Sequence, residues 1–265
     1  MRYNVNRTLT EDKRKRFLMV HLGIRYSLIR RKSLMEQDTI AMETDFNRLI
    51  KDLITSDSIT TVENMFAAWQ ELMSRYRCAI MEVETKFRVL NDQFSLQHER
   101  NPIENIKTRI KSPNSIRQKM ARKGLSPMTL SSIEENLSDV AGIRVICSFI
   151  DDIYMLADCL TSQDDITLIE CKDYIKNPKE NGYRSLHLIV EVPIFLQSEK
   201  RNMKVEVQLR TIAMEFWANL EHRLRYKKDL PESLQQATAG ELFQCAEISA
   251  QLDQRMQQVR YTVEK

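Results

Sequence analysis

Apolar side chains recur in alternating steps of four and three along one stretch of the chain: Val62, Phe66, Trp69, Met73, Tyr76, Ile80, Val83, Phe87, Leu90 and Phe94. That spacing keeps one face of an α-helix apolar, so a helix is predicted over 59–98, its heptad-like seam packed on another helix, with 12–55 as the candidate partner. A second, shorter seam runs through Leu242, Cys245, Ser249, Leu252 and Met256 and predicts a helix over 232–260. No obvious partner for it remains in the chain.

Between the seams the period changes. Residues 140–150 (VAGIRVICSFI), 166–171 and 185–192 (SLHLIVEV) are β-rich, and 205–209 alternates apolar with polar. Further helices are predicted over 11–55, 102–123, 151–162 and 211–229, the third opening on the acidic pair Asp151 and Asp152. With only 5 glycines and 6 prolines, long uninterrupted helices must dominate. The predicted class is α+β: a small mixed sheet of four or five strands flanked by helices, with long helices at both ends. Three regions follow: a basic helical extension over 1–58, a core with its leading helix over 59–231, and a self-associating helix over 232–265.

A hydrophobic share of 42% suffices for a buried core, which excludes wholesale disorder. The net charge of +3 is too small for general nucleic-acid binding. Two local clusters, Lys13 to Arg16 and Arg30 to Lys32, are ordinary for a solvated helix face and leave room for weak RNA binding. Five cysteines form no CxxC pair, which fits reduced, mostly buried thiols in a cytoplasmic protein. No apolar run approaches the ~18 residues that span a bilayer, so no membrane association is expected.

Two segments carry the chemistry. Residues 171–187 (CKDYIKNPKENGYRSLH) form a basic loop punctuated by proline and glycine that runs into a strand and offers an aromatic face. Residues 204–211 (KVEVQLRT) alternate, placing Lys204, Glu206, Gln208 and Arg210 on one face. A flat base and its phosphates suit such a pair, so a nucleotide site is expected.

With RIKSPNSIRQKMARKG, DVAGIRVIC, DYIKNPKENGYRSLH, VEVQLRTIAMEFWANLEH and RYKK in order over about 101–228, the chain resembles the small alarmone synthetases. These are single-domain relatives of the RelA/SpoT synthetases with a nucleotidyltransferase-like fold. The resemblance implies transfer of the β,γ-pyrophosphate of ATP to the 3′-hydroxyl of GDP or GTP, giving AMP and ppGpp or pppGpp. It places Arg109, Lys111, Ser115, Lys119, Arg122 and Arg144 at ATP, with Arg109 and Arg144 around adenine. If 105–123 is helical, Ser115, Lys119 and Arg122 share one face. Lys172, Lys179, Asn181, Tyr183, His187 and Gln208 are implied contacts of GDP or GTP. Tyr183 offers the guanine a stacking surface, and Gly182 lets the backbone approach.

Phosphoryl-type transfer needs positioning, cations, and a base or metal for the hydroxyl. Asp139 is the expected Mg2+ ligand, since magnesium takes one or two protein carboxylates and completes its octahedron with waters and phosphates. Glu206 is implied to activate the 3′-hydroxyl and to share the metal. Taken singly, Asp139 would more often cap a turn and Glu206 pair with Lys204 on a strand surface.

Longer relatives add a hydrolase domain with paired His-Asp ligands, but none of His21, His98, His187 and His222 precedes Asp, so synthesis without hydrolysis is expected. Two rivals remain: a toxin-type relative that pyrophosphorylates the tRNA 3′ end, and a non-catalytic nucleotide- or RNA-binding regulator. Some members of the family are homotetramers whose central cleft binds pppGpp. A homo-oligomer, a tetramer by that analogy, is expected here; in the 104–108 cleft segment Asn105 and Lys107 replace the expected aromatic and hydroxyl residues.

Overall fold

The computed structural model describes residues 59–98, 100–125, 129–225 and 232–264. The helix expected over 11–55 and its basic clusters lie outside the described residues. The order is α1 (Ile59–His98), β1 (Ile103–Ile110), α2 (Pro113–Arg122), α3 (Leu130–Asn136), β2 (Ala141–Cys147), α4 (Ile150–Thr161), β3 (Thr167–Asp173), β4 (Leu186–Phe195), β5 (Lys200–Thr211), α5 (Ile212–Arg225) and α6 (Glu232–Val263). The five strands form one mixed sheet in the order β1-β2-β5-β4-β3, in which only β2 and β5 run parallel.

Among the described residues the seam of α1 is buried chiefly on the sheet; its expected partner, 12–55, lies outside them. Trp69, Met73, Tyr76, Ile80, Val83 and Phe87 are all enclosed where α1 crosses β1, β2, β4 and β5. Val205, Val207 and Leu209 of β5, Ile143 and Val145 of β2, and Leu188, Val190 and Val192 of β4 alternate inward beneath it. From α4, Ile153, Leu156 and Leu160 complete this core. The alternate residues of the same strands therefore face the other side, where α5 and the segment before β2 leave the sheet open to chemistry.

Within 102–123, expected to be helical, Ile103–Ile110 form an edge strand. Ile103, Ile106 and Ile110 are spaced by three and four, which imitates a helix, and a register shift between Ile103 and Asn105 erases the alternation. The helix begins only at Pro113, with Ser112 as its cap accepting from the Ser115 N–H.

Helix α6 packs on α5 and α4. Trp217 Nε1 donates to the Leu242 carbonyl at 2.8 Å, and Arg260 and Arg100 converge on the fully buried Asp152 at the start of α4. The face it buries is Ala246, Asp253 and Gln257, while the seam keeps Leu252 53% and Met256 49% exposed, in line with the lack of an obvious partner for it in the chain. The thiols also differ from expectation. Cys147 is buried, but Cys171 on the edge strand β3 and Cys245 on the outer side of α6 are exposed.

Candidate active site

Strand register assembles the site. Lys107 on β1 lies opposite Arg144 on β2, Arg144 opposite Gln208 on β5, Gln208 opposite His187 on β4, and His187 opposite Lys172 on β3. The neighbouring row on the same face reads Arg109, Gly142, Glu206, Ile189 and Glu170. Residues opposite one another in a ladder share a face, so the pairing collects Arg109, Arg144, Lys172, His187, Glu206 and Gln208 from distant parts of the chain. Gly142 leaves a gap between Arg109 and Glu206; a Cβ there would meet only the Arg109 carbonyl at 3.7 Å and the Glu206 carbonyl at 4.0 Å.

At one end of this face stands Asp139, two residues before β2. Its Oδ2 accepts from Lys111 Nζ at 2.6 Å and Lys119 Nζ at 2.8 Å, while Oδ1 is buried without a hydrogen-bond partner. Burial pushes this carboxyl up, yet the two ammonium groups prevail and hold it below the usual range. An anionic oxygen that is buried and unpaired suits a hard cation. Glu206 is close enough to feel the Asp139 charge, and magnesium needs no more than two carboxylates. Among the described residues no larger cluster of metal-ligating side chains occurs. Ser115 bonds Ser112 at the start of α2, and Arg122 is exposed in its last turn. Their shared helix holds as expected, but Arg109 and Lys111 belong to the strand and the turn before it.

In the middle of the face the side chains form a ring of polar contacts, closed by the approach of His187 to Glu206. Gln208 Nε2 donates to Glu206 Oε2 at 3.0 Å, and His187 Nδ1 lies 3.4 Å from Glu206 Oε1. Tyr183 Oη and His187 Nε2 are 2.8 Å apart. Arg210 Nη2 donates to both Tyr183 Oη, at 2.5 Å, and Gln208 Oε1, at 3.0 Å. Burial raises the Glu206 carboxyl and Asp139 adds to it, but His187 and Gln208 outweigh both and keep it below its ordinary value. Arg210, only 4% exposed, is anchored by Glu215 Oε2 at 2.9 Å.

Glu215 was not legible as a site residue, since an acidic group in the first turn of a helix ordinarily serves the helix dipole. Here Oε1 also accepts from Lys107 at 2.9 Å, Arg144 at 3.1 Å and Asn219 at 2.9 Å. Although burial opposes ionisation, these partners draw the carboxyl down to about 2. Glu215 thus joins the arginine expected at adenine to the arginine behind Tyr183. The signal for it was Arg210, a charge on the reactive face of β5 that needed a buried counter-ion.

The loop before β4 is built to hold Tyr183. Asp173 accepts from the Ile175 and Lys176 N–H groups and starts the turn. Lys179 Nζ sits over the Tyr174 ring at 4.7 Å and the Tyr183 ring at 5.0 Å. Asn181, expected to meet the acceptor, accepts from the Tyr183 N–H and reaches Glu221 on α5, so in this structure it shapes the turn. Gly182 has φ of 85° and rests against α6, where an added Cβ would lie 2.5 Å from Ala246 Cβ. Arg184 then fixes the turn by bonding the Gly182 carbonyl and Glu247. Lys172 pairs with Glu170 at 2.9 Å on the solvent edge.

The chain is similar to known proteins in both sequence and fold. The model described as "Region found in RelA / SpoT proteins" matches residues 108–230. The GTP pyrophosphokinase YwaC of Bacillus subtilis is 42% identical over 198 residues, covering 74% of this chain and 92% of that protein. A second, YjbM from the same organism, is 35% identical over 74% of this chain and 90% of its own length. Small alarmone synthetase 1 of B. subtilis, solved bound to its product pppGpp, superposes with a TM-score of 0.66 at 34% identity, over 75% of this chain and 99% of that one. A five-stranded sheet of this topology, its register-built polar face and these likenesses together show that the chain belongs to the RelA/SpoT family, among the single-domain small alarmone synthetases.

Proposed function

We propose that this chain transfers the β,γ-pyrophosphate of ATP to the 3′-hydroxyl of GDP or GTP. The observation that carries the reading is a single sheet face on which two neighbouring carboxylates, Asp139 and Glu206, stand between a cation-rich end and an aromatic loop. Arg109 and Arg144 flank the place for adenine, and Lys111, Lys119, Ser115 and Arg122 face its phosphates. Lys111 and Lys119 exchange the Asp139 carboxylate for phosphate oxygens as ATP arrives, which frees Asp139 at the moment charge enters. Lys172, Lys179, Gln208 and Tyr183 receive GDP or GTP, with guanine on the Tyr183 ring.

Glu206, held ionised, takes the 3′-hydroxyl proton. The 3′-oxygen forms its bond to the β-phosphorus as the bond from that phosphorus to the bridging oxygen breaks, and AMP leaves with the oxygen. Asp139, through its open Oδ1, and Glu206 would hold a magnesium ion, which supplies positive charge to the phosphate oxygens.

The exposed stripe Cys245, Ile248, Leu252, Met256, Val259 and Val263 on α6 supports a homo-oligomer, a tetramer by analogy with the family. Light scattering that returned a monomer mass would overturn it. Among the described residues no helix is long and apolar enough to cross a membrane, and the substrates are cytoplasmic nucleotides, so we place the protein in the cytoplasm.

The test supplies radiolabelled ATP with GDP, GTP or tRNA. Labelled ppGpp or pppGpp is expected, and label on tRNA alone would sink the reading. Glu206→Gln should lower kcat by at least ~10³-fold with the melting temperature unchanged, because a near-isosteric amide cannot take the proton.

A further inference from the structure

The ring of polar contacts around Glu206 has only one possible direction. Arg210 can donate but never accept, and an ionised Glu206 can accept but never donate. These two ends orient everything between them. On the shorter path Arg210 donates to Gln208 Oε1, and the Gln208 amide donates to Glu206 Oε2, which leaves its amide no alternative orientation. On the longer path Arg210 donates to Tyr183 Oη, so the hydroxyl keeps its proton for His187 Nε2. An imidazole that accepts at Nε2 carries its proton on Nδ1, and Nδ1 lies 3.4 Å from Glu206 Oε1. Both paths therefore end as donors, one on each carboxylate oxygen. The head of both paths is immobile: Arg210 is 4% exposed and bound to Glu215 Oε2 at 2.9 Å, with Ser185 Oγ at 3.4 Å from its Nε.

We propose that His187 is a positioning residue for Glu206 and that the Tyr183 hydroxyl acts with it, so that the ring of Tyr183 serves binding and its hydroxyl serves the chemical step. The inference rests on the reading of Glu206 as the group that takes the 3′-hydroxyl proton. A carboxylate gripped at both oxygens keeps its plane and its charge while the sugar moves in, and a base out of place loses rate far more than affinity. Guanine needs only the flat face of Tyr183, which the hydroxyl does not alter.

The experiment is steady-state kinetics on the full chain with Tyr183→Phe, His187→Gln, His187→Asn, His187→Ala and, as reference, Glu206→Gln. Tyr183→Phe should lower kcat by about tenfold while the KM for GDP stays within about twofold, the pattern of an interaction exerted only in the chemical step. An asparagine amide can replace the Nδ1–H toward Glu206, whereas a glutamine amide reaches the place of Nε2. His187→Asn should therefore recover kcat by about fivefold over His187→Ala, and His187→Gln should not. A structural role alone would not separate Asn from Gln. Tyr183→Phe acting through KM only, or equal kcat for the three His187 variants, would overturn the proposal. If Glu206→Gln kept wild-type kcat, the base assignment itself would fall; if Glu206→Gln were inactive while Tyr183→Phe and His187→Gln matched wild type, only the positioning would fall.

Discussion

Under α1, strand β5 presents Val205, Val207 and Leu209, each without solvent exposure; one residue out of phase, it presents Lys204, Glu206, Gln208 and Arg210 to the opposite side. On the first face nothing is directional, and shape and apolar area decide the energy. On the second, each of the four is hydrogen-bonded to a named partner, from the α3 carbonyls of Glu134 and Glu135 that hold Lys204 to Glu215 that holds Arg210. Two residues adjacent in sequence thus answer to different physics. Stability and chemistry should separate cleanly between the faces.

The largest expected effect is on the apolar side. Phe87, wholly buried on α1, leaves a cavity when cut back, so Phe87→Ala should cost about 3–5 kcal/mol in denaturant unfolding. The molecules that remain folded at low temperature should keep their kcat. A variant that lost kcat with an unchanged midpoint would break the comparison.

A smaller effect is expected at Gly142, on the polar side. A Cβ there makes only ordinary contacts, so Gly142→Ala should shift stability by no more than about 0.5 kcal/mol. It should nonetheless raise the KM for a nucleotide by roughly threefold to tenfold, because the methyl group fills the floor between Arg109 and Glu206. Unchanged KM values for both nucleotides would mean that no substrate crosses that gap.

The smallest effect concerns two carboxylates of similar burial. Glu215 is 6% and Asp253 8% exposed, but the first has cations around it and lies at about 2, whereas burial lifts the second to about 6 against the Thr211 Oγ1 hydrogen bond and the charge of Arg184. The signs are opposite. Glu215 contributes stability above the ordinary carboxylate range that is lost as pH falls toward 2; Asp253 contributes below about 4, and that contribution disappears as pH rises through 6. Asp253→Asn, neutral throughout, should therefore gain about 1–2 kcal/mol relative to wild type between pH 4 and pH 8, allowing for solvent screening. Parallel stability curves for the two proteins would contradict the shift at Asp253.

Much of the sheet was legible because period two is hard to mistake in KVEVQLRT and SLHLIVEV, and the reactive face of β5 followed from the same alternation. The first strand was not, because three isoleucines around a bulge carried the helical period. The packing of α1 on the sheet was hidden for a related reason: a heptad stripe specifies an apolar strip but not what covers it. Asn181 also reaches Glu221 on α5, and Glu215, for which the sequence offered no role, is the hub of the polar face. In both cases the deciding partner lies on an element far along the chain. Local pattern has no access to such pairs.

The contact between Gly182 and Ala246 has a consequence for inheritance. With 2.5 Å between an imagined Cβ on one and the real Cβ on the other, neither position can enlarge while the other stays. The loop that carries Tyr183 and the last helix must therefore drift as a matched set, and a chimera that borrowed α6 from a relative would succeed or fail first on whether a small residue sits at that height.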